Sequence, residues 1–321
     1  MKEMRKIGFP ISKKENEFRR ALIPADLKVV KNCGQLYFEK GYGEQIGYSD
    51  SDYERYGCHM VSHEESLAKE IICDAKIGDA DYLSKLRNGQ IIFGWIHAVQ
   101  NRDITDKILG CKATAIAWED MYHKGRHCFW RNNEIAGEAA IMHAFQCYGK
   151  MPYDLEVALI GQGNVARGAQ KILTLLGANV TVYNRRTENL FKEELPRFDV
   201  IVNGILWDIS REDHIIYRED LRRMKANSLI VDISCDSHGG IETSIPTTIE
   251  KPVYFVDGIM HYVVDHTPSL FYKTATSGIS YEVAKYLDDL CENRGNEIIE
   301  SATIIRDGII IDQRINTFQG R

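Results

Sequence analysis

The stretch from Leu155 to Arg186, LEVALIGQGNVARGAQKILTLLGANVTVYNRR, constrains the fold more than any other part of the chain. An apolar run, Val157 to Ile160, leads into the glycine turn Gly161-Gln162-Gly163-Asn164-Val165-Ala166. A helix-period segment follows, with Val165, Ile172, Leu173, Leu175 and Leu176 apolar. Gly177 stops it before a second apolar run, Val180 to Tyr183. Strand, turn, helix and strand in about thirty residues make one βαβ unit. Gly161 permits the sharp turn, Gly163 keeps a Cβ away from a pyrophosphate, and Ala166 fills the third, small position where helix packs on strand. The first helical N–H groups then face the phosphates. The expectation is a dinucleotide site touched by Gly161, Gly163, Asn164 and Val165, with an ordinary glycine-rich βα turn as the plainer alternative.

The end of the second strand bears on which dinucleotide is bound. NAD-binding units place an Asp or Glu there to bond the adenosine ribose hydroxyls. This chain has Asn184-Arg185-Arg186-Thr187 instead. A guanidinium matches a phosphate in a bidentate way, so NADP(H) is expected over NAD(H), with Asn184, Arg185 and Arg186 at the 2′-phosphate. The plainer alternative is a pair of solvated surface arginines.

At 321 residues the chain has room for two domains and a large core. A net charge of −6 argues against a nucleic-acid or anionic-membrane surface. The first residues, MKEMRK, are too polar for a signal peptide, and no apolar run reaches the length of a membrane helix. The eight cysteines are scattered without a CxxC pair, which speaks against a zinc site or a disulfide framework and for a reduced cytoplasm. His59 and His63, and His123 and His127, are each four apart, but neither pair has a third ligand nearby, so no metal is expected.

Short apolar segments alternate with helical ones through the first 120 residues. Strands are expected at 5–9, 35–39, 71–77, 90–97 and 111–118. Such alternation implies a mostly parallel sheet, whose ligands bind beyond the carboxyl ends of the strands. Arg19, Lys76, His97 and Glu119 all fall at or just past such ends. Residues 121–132 break the pattern and are expected to cross between domains. A helix is then expected over 133–148 with Asn133 as its cap. Strands are expected at 200–204, 228–233 and 253–256, a helix from about 271 to 291, and a hairpin around Asp307-Gly308.

Several motifs together resemble the alanine dehydrogenase and transhydrogenase family over nearly the whole chain. They are Asn16-Glu17-Phe18-Arg19-Arg20-Ala21-Leu22-Ile23-Pro24, Lys76, the strand ending in His97, Asn133-Glu134-Ile135-Ala136-Gly137, the glycine turn, and Val231-Asp232-Ile233-Ser234-Cys235-Asp236. Within that family the chain is most similar to the N5-(carboxyethyl)ornithine synthases. The segments Phe93-Gly94-Trp95-Ile96-His97, Phe129-Trp130-Arg131-Asn132, Tyr183-Asn184-Arg185-Arg186-Thr187, Ile201-Val202-Asn203-Gly204-Ile205 and Thr267-Pro268-Ser269-Leu270 carry that closer likeness. The resemblance implies an α/β fold of two Rossmann-like domains with parallel sheets and an active-site cleft between them. Residues 1–128 plus 272–321 make the discontinuous substrate domain, and 129–271 the NADP(H)-binding domain. Asn203 and Gly204 join the cofactor-binding set.

The resemblance also implies reduction of an imine, formed between pyruvate or a similar 2-oxo acid and the side-chain amine of ornithine or lysine. The catalytic set is His97, Lys76 and Asp236. An imidazole near its ordinary pKa of ~6.5 can exchange protons at neutral pH. Lys76 can bind the substrate carboxylate and polarise the carbonyl. Arg19 aligns as the bidentate clamp on the carboxylate. Glu119 can orient Lys76 or His97, and Asp236 can hold a water or the attacking amine or bond the nicotinamide ribose. Asp257, Glu134 and Asp265 are candidates for a second charged subsite. A homo-oligomer, dimer or tetramer, is implied as well. Rival readings are an alanine dehydrogenase using ammonia, a saccharopine-type reductase joining lysine to 2-oxoglutarate, and a non-catalytic NADPH-binding sensor or scaffold.

Overall fold

The computed structural model of the chain describes residues 4–208, 211–235 and 239–321. It divides into two compact units, Met1–Trp130 with Tyr272–Arg321, and Arg131–Phe271. The first unit opens with β1 (Ile7–Phe9), β2 (Leu36–Glu39), β3 (His59–Val61), β4 (Ile71–Cys73), β5 (Ile91–Gly94) and β6 (Thr114–Ala117). A small hairpin, β7 (Tyr122–His123) with β8 (Arg126–His127), follows. The second unit holds β9 (Glu156–Ile160), β10 (Asn179–Tyr183), β11 (Val200–Asn203), β12 (Leu229–Asp232), β13 (Val253–Val256) and β14 (Ile259–Tyr262). The chain ends with β15 (Thr303–Arg306), β16 (Ile309–Ile310) and a helix, Gln313–Gln319.

In the first unit the strand order is β3-β2-β1-β4-β5-β6-β15-β16, parallel through β6 and antiparallel at β15 and β16. β1 and β4 are short and wholly buried, as strands of a parallel sheet covered on both faces must be. After β1 the chain winds outward through β2 and β3, then restarts on the other side of β1 with β4. In sheets of this kind such a reversal is where a crevice forms beyond the carboxyl ends of the flanking strands, here β1 and β4. In the second unit the order is β10-β9-β11-β12-β14-β13, and the reversal falls between β9 and β11. Both sheets are thus of the Rossmann-like, doubly wound kind.

Two helices frame the second unit's crevice: α1 (Trp130–Tyr148) and α2 (Asn164–Leu175). Ala166, Gly168, Ala169 and Leu173 form the buried face of α2, while Leu175 lies open on the other side. The two helices meet backbone to backbone. A Cβ on Gly168 would stand 1.9 Å from the Glu134 carbonyl oxygen, and one on Gly137 2.0 Å from that of Val165. Ala166 keeps the close packing expected of it, since a Cβ on Gly204, just past β11, would lie 3.2 Å from its backbone, and helix against helix adds a second close approach two residues later.

Several expected bounds move. The strand expected over 71–77 stops at Cys73, because the Asp74 carboxylate accepts the Lys76 N–H at 3.1 Å and turns the chain. Lys76 thus stands three residues beyond its strand and starts a 3₁₀ turn, Ile77–Asp79. The strand expected over 90–97 ends at Gly94, where a Cβ would lie 2.0 Å from the Asp74 carbonyl oxygen. Helix α1 begins at Trp130, so Asn133 sits a turn inside it and is not its cap. The strand expected over 253–256 is present as β13, at the edge of the sheet beyond β14. The Asp257-Gly258 turn, with φ of 49° and 83°, folds β13 back as an antiparallel edge.

Candidate active site

In the first unit the candidate residues gather beyond the carboxyl ends of β1, β4, β5 and β6, which are neighbours in the sheet. Lys76 is buried, and its Nζ stands 3.0 Å from Asp79 Oδ2. The same oxygen holds Lys14 Nζ at 2.9 Å. Burial works against the Asp79 carboxylate, but Lys76 and Lys14 outweigh it and hold its pKa well below the ordinary range. Beneath Lys76 lies Asp74, buried and bonded by the Tyr82 hydroxyl at 2.6 Å. Burial pushes Asp74 up to about 6 despite that bond.

Arg19 is buried too, and its guanidinium closes on Glu17 through Nε at 2.8 Å and Nη2 at 2.5 Å. Its carbon centre lies 5.2 Å from the centre of the Trp95 ring. Burial raises the Glu17 pKa, and Arg19 more than cancels that, leaving it below the ordinary value. A substrate carboxylate at Arg19 must therefore share the guanidinium with Glu17. Arg20 turns away, donating to the Tyr42 and Arg19 carbonyls.

His97 is exposed and adopts a left-handed backbone, φ 56°, which is uncommon outside glycine though less so for asparagine, aspartate and histidine. Its N–H donates to Glu119 Oε1 at 2.6 Å, and the Ile96 N–H donates to the same carboxylate. Glu119 thus grips the backbone of the histidine loop. The loops after β4 and β5 are also tied together, with the Gly78 N–H on the Trp95 carbonyl at 3.0 Å. A Cβ at Gly78 would lie 2.0 Å from the Ile96 carbonyl oxygen.

Burial pushes the Glu119 carboxyl up to about 7, although the N–H groups of its own backbone, His97 and Ile96 pull the other way. The folded chain therefore holds this proton more tightly than the unfolded one. The resulting stabilisation is complete below about 4.5, the ordinary value, and is lost as pH rises through about 7. Glu119→Gln removes that dependence. Urea denaturation near pH ~5 and pH ~8 should show the variant gaining on the parent protein by on the order of 1 kcal/mol at the higher pH. An unchanged difference between the two would show that Glu119 does not titrate there.

The second unit carries the glycine turn at its sheet reversal. Gly161 has φ 119°, donates its N–H to the Tyr183 carbonyl at 2.9 Å, and a Cβ on it would lie 2.9 Å from the Gly204 carbonyl oxygen. Gly163 caps α2 without a side-chain bond, and the space a Cβ would occupy there is open. Asn164 and Val165 follow, half-buried, in the first turn. Beside the turn is a pocket whose lining includes Ile160, Asn184, Arg185, Glu188, Ile205 and Asp208. Both arginines are exposed; Arg185 lines the pocket and reaches Asp208 Oδ2 at 3.6 Å, whereas Arg186 is not part of the lining. The Asn184 side chain accepts the Arg186 N–H at 2.9 Å and fixes the turn between them.

Two findings qualify the expected cofactor set. Asn203 is buried and donates its amide to Asp232 at 2.9 Å, making it a strut between β11 and β12. Asp232, raised by burial, also accepts the Ser244 hydroxyl and the Ser234 N–H. Glu188 is a carboxylate in the pocket that inspection of 184–187 alone overlooked. Both its oxygens are bonded by Arg211 at 3.0 Å. Asp236 lies outside the described residues. Its neighbour Cys235 is left-handed, φ 54°, with Sγ 3.3 Å from the Asp232 carbonyl oxygen.

A tight glycine turn, an α2 N-terminus without a side-chain cap and a flanking arginine-bearing pocket fit the pyrophosphate and adenosine parts of a nicotinamide dinucleotide. Of the histidine pairs, His59 is on β3 and His63 pairs with Glu39, while His123 and His127 sit on opposite strands of the small hairpin. Among the described residues no three metal-ligating side chains come together, and no helix is long and apolar enough to cross a membrane.

Two doubly wound units, one with a dinucleotide turn and one with a lysine and a histidine beyond its strand ends, define a class of nicotinamide-dependent enzymes. Family models match both parts: alanine dehydrogenase/PNT, N-terminal domain, over residues 8–129, and the C-terminal domain over 169–317. The chain belongs to the alanine dehydrogenase/PNT family. It is 34% identical over 299 residues to an N(5)-(carboxyethyl)ornithine synthase of Clostridium botulinum, covering 88% of this chain and 93% of the relative. Alanine dehydrogenase 1 of Staphylococcus aureus is 26% identical over 347 residues, covering 96% and 93%. A solved L-alanine dehydrogenase shares the fold with a TM-score of 0.83 at 20% identity, over 98% of this chain and 99% of that one.

Proposed function

We propose that the protein is an NADPH-dependent reductase that condenses pyruvate, or a similar 2-oxo acid, with the side-chain amine of ornithine or lysine. The observation that carries this reading is the set of Lys76, Glu119 and His97 beyond adjacent strands in a chain 34% identical to a carboxyethylornithine synthase. The Lys76 ammonium binds the oxo-acid carboxylate and draws electron density from the ketone as the amine attacks. His97 donates a proton to the carbinolamine hydroxyl, which departs as water and leaves the imine. Glu119 keeps the His97 loop in its left-handed turn. Gly161, Gly163 and the first turn of α2 hold the pyrophosphate, and Arg185 the 2′-phosphate. When bound, the dinucleotide supplies the hydride that reduces the imine carbon.

The deciding experiment is NADPH oxidation with pyruvate plus ornithine, lysine or ammonia, followed by mass spectrometry of the product. An N-(carboxyethyl) amino acid is expected. Alanine from ammonia alone would establish the alanine dehydrogenase reading instead, and saccharopine from lysine and 2-oxoglutarate the third. The cofactor assignment has its own check. Arg185→Ala should raise the KM for NADPH about tenfold or more, the worth of one lost bond to a charged group, and leave that for NADH little changed. Arg186→Ala should do much less. Equal effects on both cofactors would remove Arg185 from the 2′-phosphate site.

A further inference from the structure

A donor such as ornithine brings more than its reacting amine. It carries an α-carboxylate and an α-ammonium, and the oxo acid brings a second carboxylate. The substrates together thus present two anions and one cation. The crevice beyond β1 and β4 presents the complement. Lys14, on the loop after β1, and Lys76, after β4, share one oxygen of Asp79 at 2.9 and 3.0 Å. Two cations and one anion are therefore clustered within a few ångströms, on loops from the two strands that flank the sheet reversal.

Depth separates their roles. The side chain of Lys76 is 7% exposed, that of Lys14 19% and that of Asp79 31%. Lys76 is the inner cation, suited to the small oxo acid, while Lys14 and Asp79 lie towards the opening. In ornithine three methylenes separate the reacting amine from the α-carbon, so its α-groups lie on the outer side of the reacting centre. The other acidic candidates belong to the second unit, where Asp257 pairs with Arg218, Glu134 with Arg131 and Arg167, and Asp265 with His266. Ammonia as donor needs no outer cation and anion.

We infer that Lys14 and Asp79 are the specificity pair for the amine donor, Lys14 taking its α-carboxylate and Asp79 its α-ammonium. This rests on the reductive-condensation reading. A charged pair desolvated by a bound zwitterion discriminates by about tenfold or more per missing partner, because the unmatched group stays buried and unpaired.

The test compares three donors with pyruvate and NADPH: ornithine, 1,4-diaminobutane, which lacks the carboxylate, and 5-aminopentanoate, which lacks the α-ammonium. The parent enzyme should prefer ornithine to either by about tenfold or more in kcat/KM. Lys14→Met should collapse the preference over 1,4-diaminobutane, Lys14→Arg should restore most of it, and Asp79→Asn should collapse the preference over 5-aminopentanoate. In Lys14→Met the ornithine KM should rise far more than the pyruvate KM. Retained preferences, or equal rises in both KM values, would overturn the assignment while condensation by the parent enzyme stands. A parent enzyme that turns over only ammonia would overturn the underlying reading and this pair with it.

Discussion

On the proposed function, His97→Asn should lower kcat by about a thousandfold, within the range for losing a positioned acid–base group, while the reduced dinucleotide still binds. Asparagine is chosen because it tolerates the left-handed backbone that His97 occupies at φ 56°. Alanine in that place adds backbone strain on the order of 1 kcal/mol and confuses chemistry with loop geometry. The N–H to Glu119 at 2.6 Å belongs to the backbone and survives either change. Stopped-flow measurement of NADPH oxidation, with binding followed by the fluorescence of the reduced cofactor, separates the two steps. Turnover within a few fold of the parent enzyme would take His97 out of the mechanism, and loss of cofactor binding would mean the variant had misfolded.

Gly168→Ala should destabilise the second unit by about 3 kcal/mol, at the upper end of overpacking costs. The added methyl meets the Glu134 carbonyl oxygen at 1.9 Å; the methyl is fixed directly to one helix backbone and the oxygen belongs to the other, so neither can rotate out of the way. The helices must therefore separate, which also disturbs the α2 N-terminus. Urea denaturation should show the loss as an earlier midpoint, and affinity for the nicotinamide dinucleotide should fall in parallel. Gly163→Ala is the contrasting case. The space its Cβ enters is open, so stability should hold and any loss should fall on cofactor binding. A Gly168→Ala variant as stable as the parent protein would mean that the helices do not meet at that glycine.

These two expectations show what the chain discloses before folding and what it withholds. The β9–α2–β10 unit is legible because apolar period and glycine spacing are local properties, and the structure has its strand, turn and helix where the pattern puts them. Lys76, His97 and Glu119 were recognisable as residues past strand ends for the same reason. The contact of Gly137 with α2 was not, since periodicity reveals which helix face is apolar and not which backbone comes close. Asp79 was passed over because its partner Lys14 lies 65 residues earlier, on a loop that only the sheet order brings near. Glu17 could have been suspected from its place two residues before Arg19, where an extended chain puts both side chains on one side. The antiparallel pairing of β13 was not legible, because a short apolar run does not say which way it pairs.

The placement of β15 has a consequence for how the protein is made. β6 is completed at Ala117, yet its outer neighbour arrives only with Thr303–Arg306, and the Ala117 N–H finds its acceptor on Ala302. During synthesis the whole of Arg131–Phe271 leaves the ribosome while that strand edge has no partner. The continuous second unit can therefore fold first, and the first unit waits for the last residues of the chain. A nascent chain halted before residue 303 carries an unpaired, buried-type strand, the kind of edge that invites pairing with another chain.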